Sequence, residues 1–313
     1  MSKAKILVIR GGAIGDFILT LPAIAALRQQ CPHAHIEILG YQKIASLALQ
    51  SRMVDQVKHI EARSLAGFFV SRGELCEDLR DYFSKFSIII SYLYDPDEIF
   101  RANIARCSPA QFIQGPHRPN ENEKIHATNV FLKPLERLAI FDADHVPGLR
   151  LDCDVAISPN TVALHPGSGS ESKNWPENKW SEFLAILART TSLKFLLVGG
   201  EAEGARLNRL ASGLRVGRFE IAENLPLPEL ATRLQGCTAF VGHDSGITHL
   251  AAALNLPCLA MWAHTEQSVW RPLGRCVTIL HEPAGIETLA ANRVADELLR
   301  ILAATTTASR QSP

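Results

Sequence analysis

Apolar and polar positions fall in blocks along this chain. Short apolar runs at 5–10, 36–39, 56–60, 86–91 and 111–114 are separated by stretches with helical spacing. After a break the pattern restarts at 161–165, 194–199, 218–221, 239–242, 258–262 and 277–280. Runs such as FSIIIS and KFLLVGG are apolar without alternation, which predicts strands covered on both faces. The stretches between them, 176–189 and 247–254 among them, read as amphipathic helices. Strand–helix alternation of this kind builds parallel sheets through right-handed crossovers, so the fold class is α/β.

The restart near residue 160 divides the chain. Segment 142–161 (DADHVPGLRLDCDVAISPNT) holds two prolines, a scatter of aspartates and little periodicity, as a linker does. Two domains follow, 1–155 and 156–313, and 313 residues suit that number. A last helix at 285–303 is expected to pack back on the first domain, ahead of a frayed tail, TTTASRQSP. Pro22 suits the first turn of a helix begun near Thr20 or a kink in one begun earlier.

Composition narrows the function. Apolar residues make up 47% and charged residues 20%, which excludes disorder and a small disulfide scaffold. The 32 basic residues balance 32 acidic ones, with 18 of each sign in 1–155, so nucleic-acid binding through broad charge complementarity loses its basis. Seven scattered cysteines without a CxxC pair suit reduced thiols. With no signal-peptide core and no long apolar run, the expected location is the cytoplasm.

Four clusters at strand ends carry the candidate chemistry, because open α/β sheets bind ligands beyond the carboxyl ends of their strands. Gly11-Gly12-Ala13-Ile14-Gly15-Asp16 follows the first strand; its glycine spacing is not the dinucleotide fingerprint, and Asp16 is either a helix cap or a reactive carboxylate. The second cluster runs from His165 to Pro176 and joins Ser168, Gly169 and Lys173, small residues, hydroxyls and a cation that suit a phosphate as well as a polar loop. The third, 240–249, places Asp244, Ser245 and Gly246 at a helix start, where an anion or a cap would be satisfied. His243 and His249, six apart, do not share a helix face as metal ligands would. The fourth, 263–274, walls a ligand with Thr265 and an aromatic, or is a buried connection.

Together the segments IRGGAIGDFILTLPAIAAL, HPGSGSESKNWPENKW and GHDSGITHLAAALNLPCLAMWAHTEQSVWRPLG resemble glycosyltransferase family 9, the ADP-heptose:lipopolysaccharide heptosyltransferases. The resemblance implies a GT-B fold: two Rossmann-like domains with parallel sheets facing across a cleft, acceptor on the N-terminal one and nucleotide-sugar donor on the C-terminal one. It implies Asp16 as catalytic base and Lys173 at the donor diphosphate, with Ser168 and Gly169 beside it. Asp244, Ser245, Gly246 and His249 match its donor motif, and Glu223 matches an acidic residue at the donor ribose. Gly12, Arg118 and Lys124 are candidate acceptor contacts, the last two within a polar stretch, 116–126, that reads equally as solvated surface.

The implied reaction is an inverting transfer of a heptose or related sugar from a nucleotide diphosphate, ADP-heptose by the resemblance, to a lipopolysaccharide-core or similar glycan, with no cofactor and no metal. Alternatives are a GT-B enzyme of other specificity, such as a 2-epimerase or another sugar transferase, or a non-catalytic nucleotide-sugar-binding protein. The implied partners are the donor and a glycolipid or glycan acceptor, with no nucleic acid. Peripheral contact with the cytoplasmic face of the inner membrane is a further expectation: Phe68 and Phe69 lie between Arg63 and Arg72, a lipid contact or a helix packed on the first domain.

Overall fold

A computed structural model describes residues 4–151, 158, 160–200 and 203–311, with side chains as far as residue 305. The chain divides into two compact units, Met1–Pro147 and Gly148–Pro313, the division falling inside the segment 142–161. Cys153 and residues 152–157 and 159 of that segment lie outside the described residues.

The first unit holds strands β1 (Lys5–Arg10), β2 (His35–Gly40), β3 (Gln56–His59), β4 (Ile88–Ser91) and β5 (Gln111–Gln114). They pair all-parallel in the order β3-β2-β1-β4-β5. The second holds β6 (Thr161–Leu164), β7 (Lys194–Gly199), β8 (Phe219–Glu223), β9 (Ala239–His243), β10 (Cys258–Trp262) and β11 (Val277–His281). Their order is β11-β10-β9-β6-β7-β8, again all-parallel. Each sheet winds one way from its first strand and then reverses. The reversal leaves a crevice at the carboxyl ends, between β1 and β4 in one unit and between β6 and β9 in the other.

The apolar runs become strands because both faces of each sheet are covered. Leu7, Ile9 and Ile89 pack on one face against Leu79, Phe83, Phe100 and Ile104. In the second unit Val162, Leu164, Leu197 and Val241 pack with Trp175, Trp180 and Phe183. One local expectation is corrected and two open readings are decided. The helix Ile14–Gln30 starts six residues before Thr20, so Pro22 lies inside it, buried, and withholds a donor from the Ile18 carbonyl. The final segment turns at Gly285, makes a short 3₁₀ turn at Ile286–Thr288, and becomes helical only at Ala291; it then continues to Gln311, through much of the expected frayed tail. That helix buries Val294, Ala295 and Leu298 in the core of its own unit, against the helix Glu177–Thr190.

The aromatic pair divides between its two readings. Phe68 is fully buried, its ring 4.9 Å from Phe83 and 6.3 Å from Phe100. Phe69 stacks on Phe100 at 5.0 Å yet stays half-exposed, and Val70 beside it faces solvent. Among the described residues no helix is long and apolar enough to cross a membrane.

Candidate functional site

The reversal point of the six-stranded sheet gathers the second and third clusters. Lys173, in the loop after β6, donates from Nζ to Oδ2 of Asp244, just after β9, at 2.6 Å. The carboxylate is nearly buried while the lysine remains about one-third exposed, so the cation faces the crevice. Next in the chain, Ser245 caps the helix Gly246–Ala253, its Oγ accepting from the Thr248 N–H at 3.4 Å. The first turn of that helix therefore presents N–H groups and the positive end of the dipole beside the lysine. His249 sits one turn in, buried. Ser168 donates to the Ser170 carbonyl at 2.8 Å and so shapes its own loop, while Gly169 lies in the open.

Two buried histidines hold this loop in place. The Trp175 N–H donates to Nε2 of His243 at 2.9 Å, which leaves the proton on Nδ1 to be donated to the Gly167 carbonyl at 3.2 Å. Burial pushes the His243 pKa down to about 4 and that of His165 down to about 3, so both rings are neutral spacers. His165 Nδ1 lies 3.3 Å from Ser245 Oγ, tying the loop after β6 to the helix cap. Gly167 is required here: a Cβ on it would stand 2.3 Å from Oε1 of Glu203, whose carboxylate accepts from the Gly200 N–H at 2.9 Å. Arg206 closes the loop from outside, donating to the Pro166 carbonyl at 3.1 Å and to both oxygens of Glu171. Neither Glu203 nor Arg206 has a local sequence signal, because each acts on a loop more than thirty residues away.

Glu223 ends β8 on the same sheet edge, its carboxylate so close to Gly204 that a Cβ there would be 2.1 Å away. It therefore borders the start of the helix Gly204–Ser212 rather than the Lys173–Asp244 pair. In the fourth cluster Trp262 is buried and its indole N–H donates to the Thr265 carbonyl at 2.6 Å, so this aromatic braces a connection.

In the first unit Asp16 stands at the mouth of β1. It is the third residue of its helix, not the cap, a position Ala13 occupies; from there its Oδ2 accepts from the Ala13 N–H at 3.0 Å. Gly12 makes room for it: with φ of 98°, it would place a Cβ 2.8 Å from Asp16 Oδ2. Beneath lies Arg10, almost completely buried. Its guanidinium donates to the carbonyls of Asp16 at 3.2 Å and His117 at 2.9 Å, and lies 3.7 Å from Asp16 Oδ1. It also sits 4.5 Å over the Phe131 ring. Burial lowers the Arg10 pKa and the facing Asp16 charge raises it in return. Sequence reasoning missed Arg10 as a site residue, although a cation closing an apolar run directly before Gly-Gly was a usable signal.

Arg118 is exposed and pairs with Glu121 at 3.0 Å, and Lys124 closes a 3₁₀ turn, Glu121–Glu123, with a φ of 52°. Asp-x-Asp triplets, which can present two carboxylates to a divalent ion, begin at Asp95, Asp142 and Asp152. Asp95 instead caps the helix Ile99–Ala105, accepting from the N–H groups of Phe100 and Arg101 at 3.0 Å each, and Asp144 accepts from the Val146 N–H at 2.9 Å. The third triplet lies outside the described residues. Among the described residues no group of three or more His, Cys, Asp or Glu side chains is arranged to hold a metal ion.

The chain is similar to known proteins in sequence and in fold. A family model, Glycosyltransferase family 9 (heptosyltransferase), matches residues 142–293. Lipopolysaccharide heptosyltransferase 3 of Escherichia coli (strain K12) is 25% identical over 288 residues, 82% of each chain. Lipopolysaccharide heptosyltransferase 1 of Salmonella typhimurium is 35% identical over 120 residues, 37% of this chain and 36% of its own. In fold, the E. coli ADP-heptose lps heptosyltransferase II aligns with a TM-score of 0.78 at 17% identity, covering 96% of this chain and 99% of its own. The E. coli heptosyltransferase WaaC with ADP aligns with a TM-score of 0.73 at 19% identity, covering 95% and 99%.

Proposed function

Because this chain belongs to glycosyltransferase family 9, we propose that it moves heptose from ADP-heptose to a sugar of the lipopolysaccharide core, inverting the anomeric centre without a metal. The observation that carries this reading is the Lys173–Asp244 pair at the reversal point of the second sheet, beside the first turn of the helix Gly246–Ala253. One fixed cation and a set of N–H groups are what a departing diphosphate needs. A relative of the same fold has been solved with ADP-2-deoxy-2-fluoro heptose, which supports the choice of donor.

In this reading the second unit holds the donor and the first the acceptor. Asp16 takes the proton of the acceptor hydroxyl as that oxygen forms its bond to the anomeric carbon. The bond from that carbon to the diphosphate breaks on the opposite face, its electron pair leaving with ADP. The transition state has oxocarbenium character, as in glycoside hydrolysis. Lys173, held in place by Asp244, and the N–H groups of Gly246 and Ile247 balance the charge that grows on the leaving group. A placed base of this kind contributes about 10²–10⁴-fold.

The test is calorimetric titration with ADP-heptose and with UDP-, GDP- and dTDP-sugars, without divalent ions, followed by transfer to a heptose-deficient core oligosaccharide. We expect selective binding of ADP-heptose, a product of inverted anomeric configuration, and an Asp16→Asn variant that binds donor normally but transfers at least 10²-fold more slowly. Selective binding of another nucleotide sugar would move the enzyme to a different substrate. Asp16→Asn with full activity would remove the base.

A further inference from the structure

The loops after β4 and β5 carry an exposed aromatic pair that the proposed function does not use. Tyr94 is 70% exposed, the most open aromatic side chain described, and its ring meets that of His117 edge-on at 4.6 Å. A lone exposed tyrosine needs no explanation, but this one stands on a loop whose backbone is braced. Gln114 donates from Nε2 to the carbonyls of Leu93 and Gly115, at 3.0 Å each, and so joins the two loops. Arg10 donates to the His117 carbonyl at 2.9 Å and reaches the Tyr92 carbonyl at 3.5 Å. The same guanidinium holds the Asp16 carbonyl. One buried side chain therefore ties the backbones of the two loops that carry Tyr94 and His117 to that of Asp16 at the β1/β4 crevice, where an α/β sheet takes its ligand. On the other side of Gly11 lie Leu93 and Tyr41, each within 4 Å of where a Cβ would stand.

We propose that Tyr94 and His117 form a stacking subsite for the acceptor saccharide, placing its ring so that a hydroxyl meets Asp16. The proposal rests on Asp16 acting on the acceptor, as argued above. A pyranose presents apolar C–H groups on one face and hydroxyls around its edge, and an aromatic ring held at a fixed angle accepts that face with little loss of side-chain freedom. Of the charged neighbours, Asp95 is occupied with two helix N–H groups and Arg118 with Glu121, so the platform selects a neutral ring face in preference to a phosphate.

Binding is the readout. A core oligosaccharide from a heptose-deficient lipopolysaccharide is titrated calorimetrically into the ADP-saturated wild type, Tyr94→Phe and Tyr94→Ala. Because Tyr94 is exposed, neither substitution should disturb the fold. Tyr94→Ala is expected to weaken oligosaccharide binding about tenfold, a loss of ~1.4 kcal/mol, while Tyr94→Phe stays within about twofold and ADP affinity is unchanged in all three. Tyr94→Ala binding as tightly as the wild type, or a wild type that does not bind the oligosaccharide, would overturn the subsite. A wild type that binds through Tyr94 yet transfers no heptose would keep the subsite and refute the transferase reading.

Discussion

Acid should loosen the second unit before the first, and two histidines set the scale. His243 and His165 are fully buried, and burial holds their pKa values at about 4 and about 3. In the unfolded chain both return to about 6.5. A base whose folded pKa lies below its unfolded value favours folding fully above pH 6.5, and that contribution is lost as pH falls towards the folded values. Each unit of pH below 6.5 costs ~1.4 kcal/mol per histidine, so at pH 5 each has lost about 2 kcal/mol and the pair about 4 kcal/mol. Most carboxylates titrate lower, so the interval from pH 7 to pH 5 isolates the histidines. All four tryptophans, Trp175, Trp180, Trp262 and Trp270, lie in the second unit, and the Trp180 ring is 5.6 Å from His243. Urea unfolding followed by tryptophan fluorescence therefore reads this unit alone. At about 2 kcal/mol per molar urea, the midpoint should drop by roughly 2 M between pH 7 and pH 5. His243→Gln, which lacks a titrating ring, should start from a lower midpoint and lose about half as much. Equal pH dependence in the wild type and His243→Gln would refute the reasoning.

Two more outcomes follow from the site. Lys173→Met strands the nearly buried Asp244 carboxylate and should cost about 1–3 kcal/mol in the same urea assay, with ADP-heptose affinity reduced about tenfold or more. Adding Asp244→Asn should restore the stability but not the affinity; recovery of both would show that the lysine does not serve the donor. Gly12→Ala forces an unfavourable backbone angle and crowds Asp16, so transfer should slow at least tenfold while donor binding stays put, as calorimetry beside a transfer assay would show.

The strands and the loops bearing the chemistry were legible because a doubly covered parallel sheet leaves a strong mark: short apolar runs ending in Gly, Asp or Ser. FVGHDSG shows the end of β9, its cap and its helix in seven letters. What could not be read is what only the third dimension brings together. Arg206 and Glu203 act on the loop after β6 from a helix after β7, and nothing near either residue says so. Phe68 and Phe69 are identical letters with opposite fates, because the 3₁₀ turn at Arg63–Phe69 aims one ring into the core and leaves the other at its edge. Pro22 left the start of the first helix open between two readings, and burial against the sheet outweighs a local preference to start there. Asp16 illustrates a third limit: from the third position of its helix one oxygen accepts from Ala13 while the other faces Arg10, an arrangement that the letters alone do not show.

Arg10 grips the rim of the first sheet by carbonyl oxygens, those of Tyr92, His117 and Asp16. A carbonyl is the same whatever residue bears it, so this grip is blind to the side chains displayed above it. The rim can then be rewritten letter by letter, at 94, 117 or 118, while Asp16 keeps its station. A scaffold built this way separates what its rim displays from what lies beneath: the surface vocabulary is open to redesign by single exposed substitutions, with the Asp16 carboxylate left out of the negotiation.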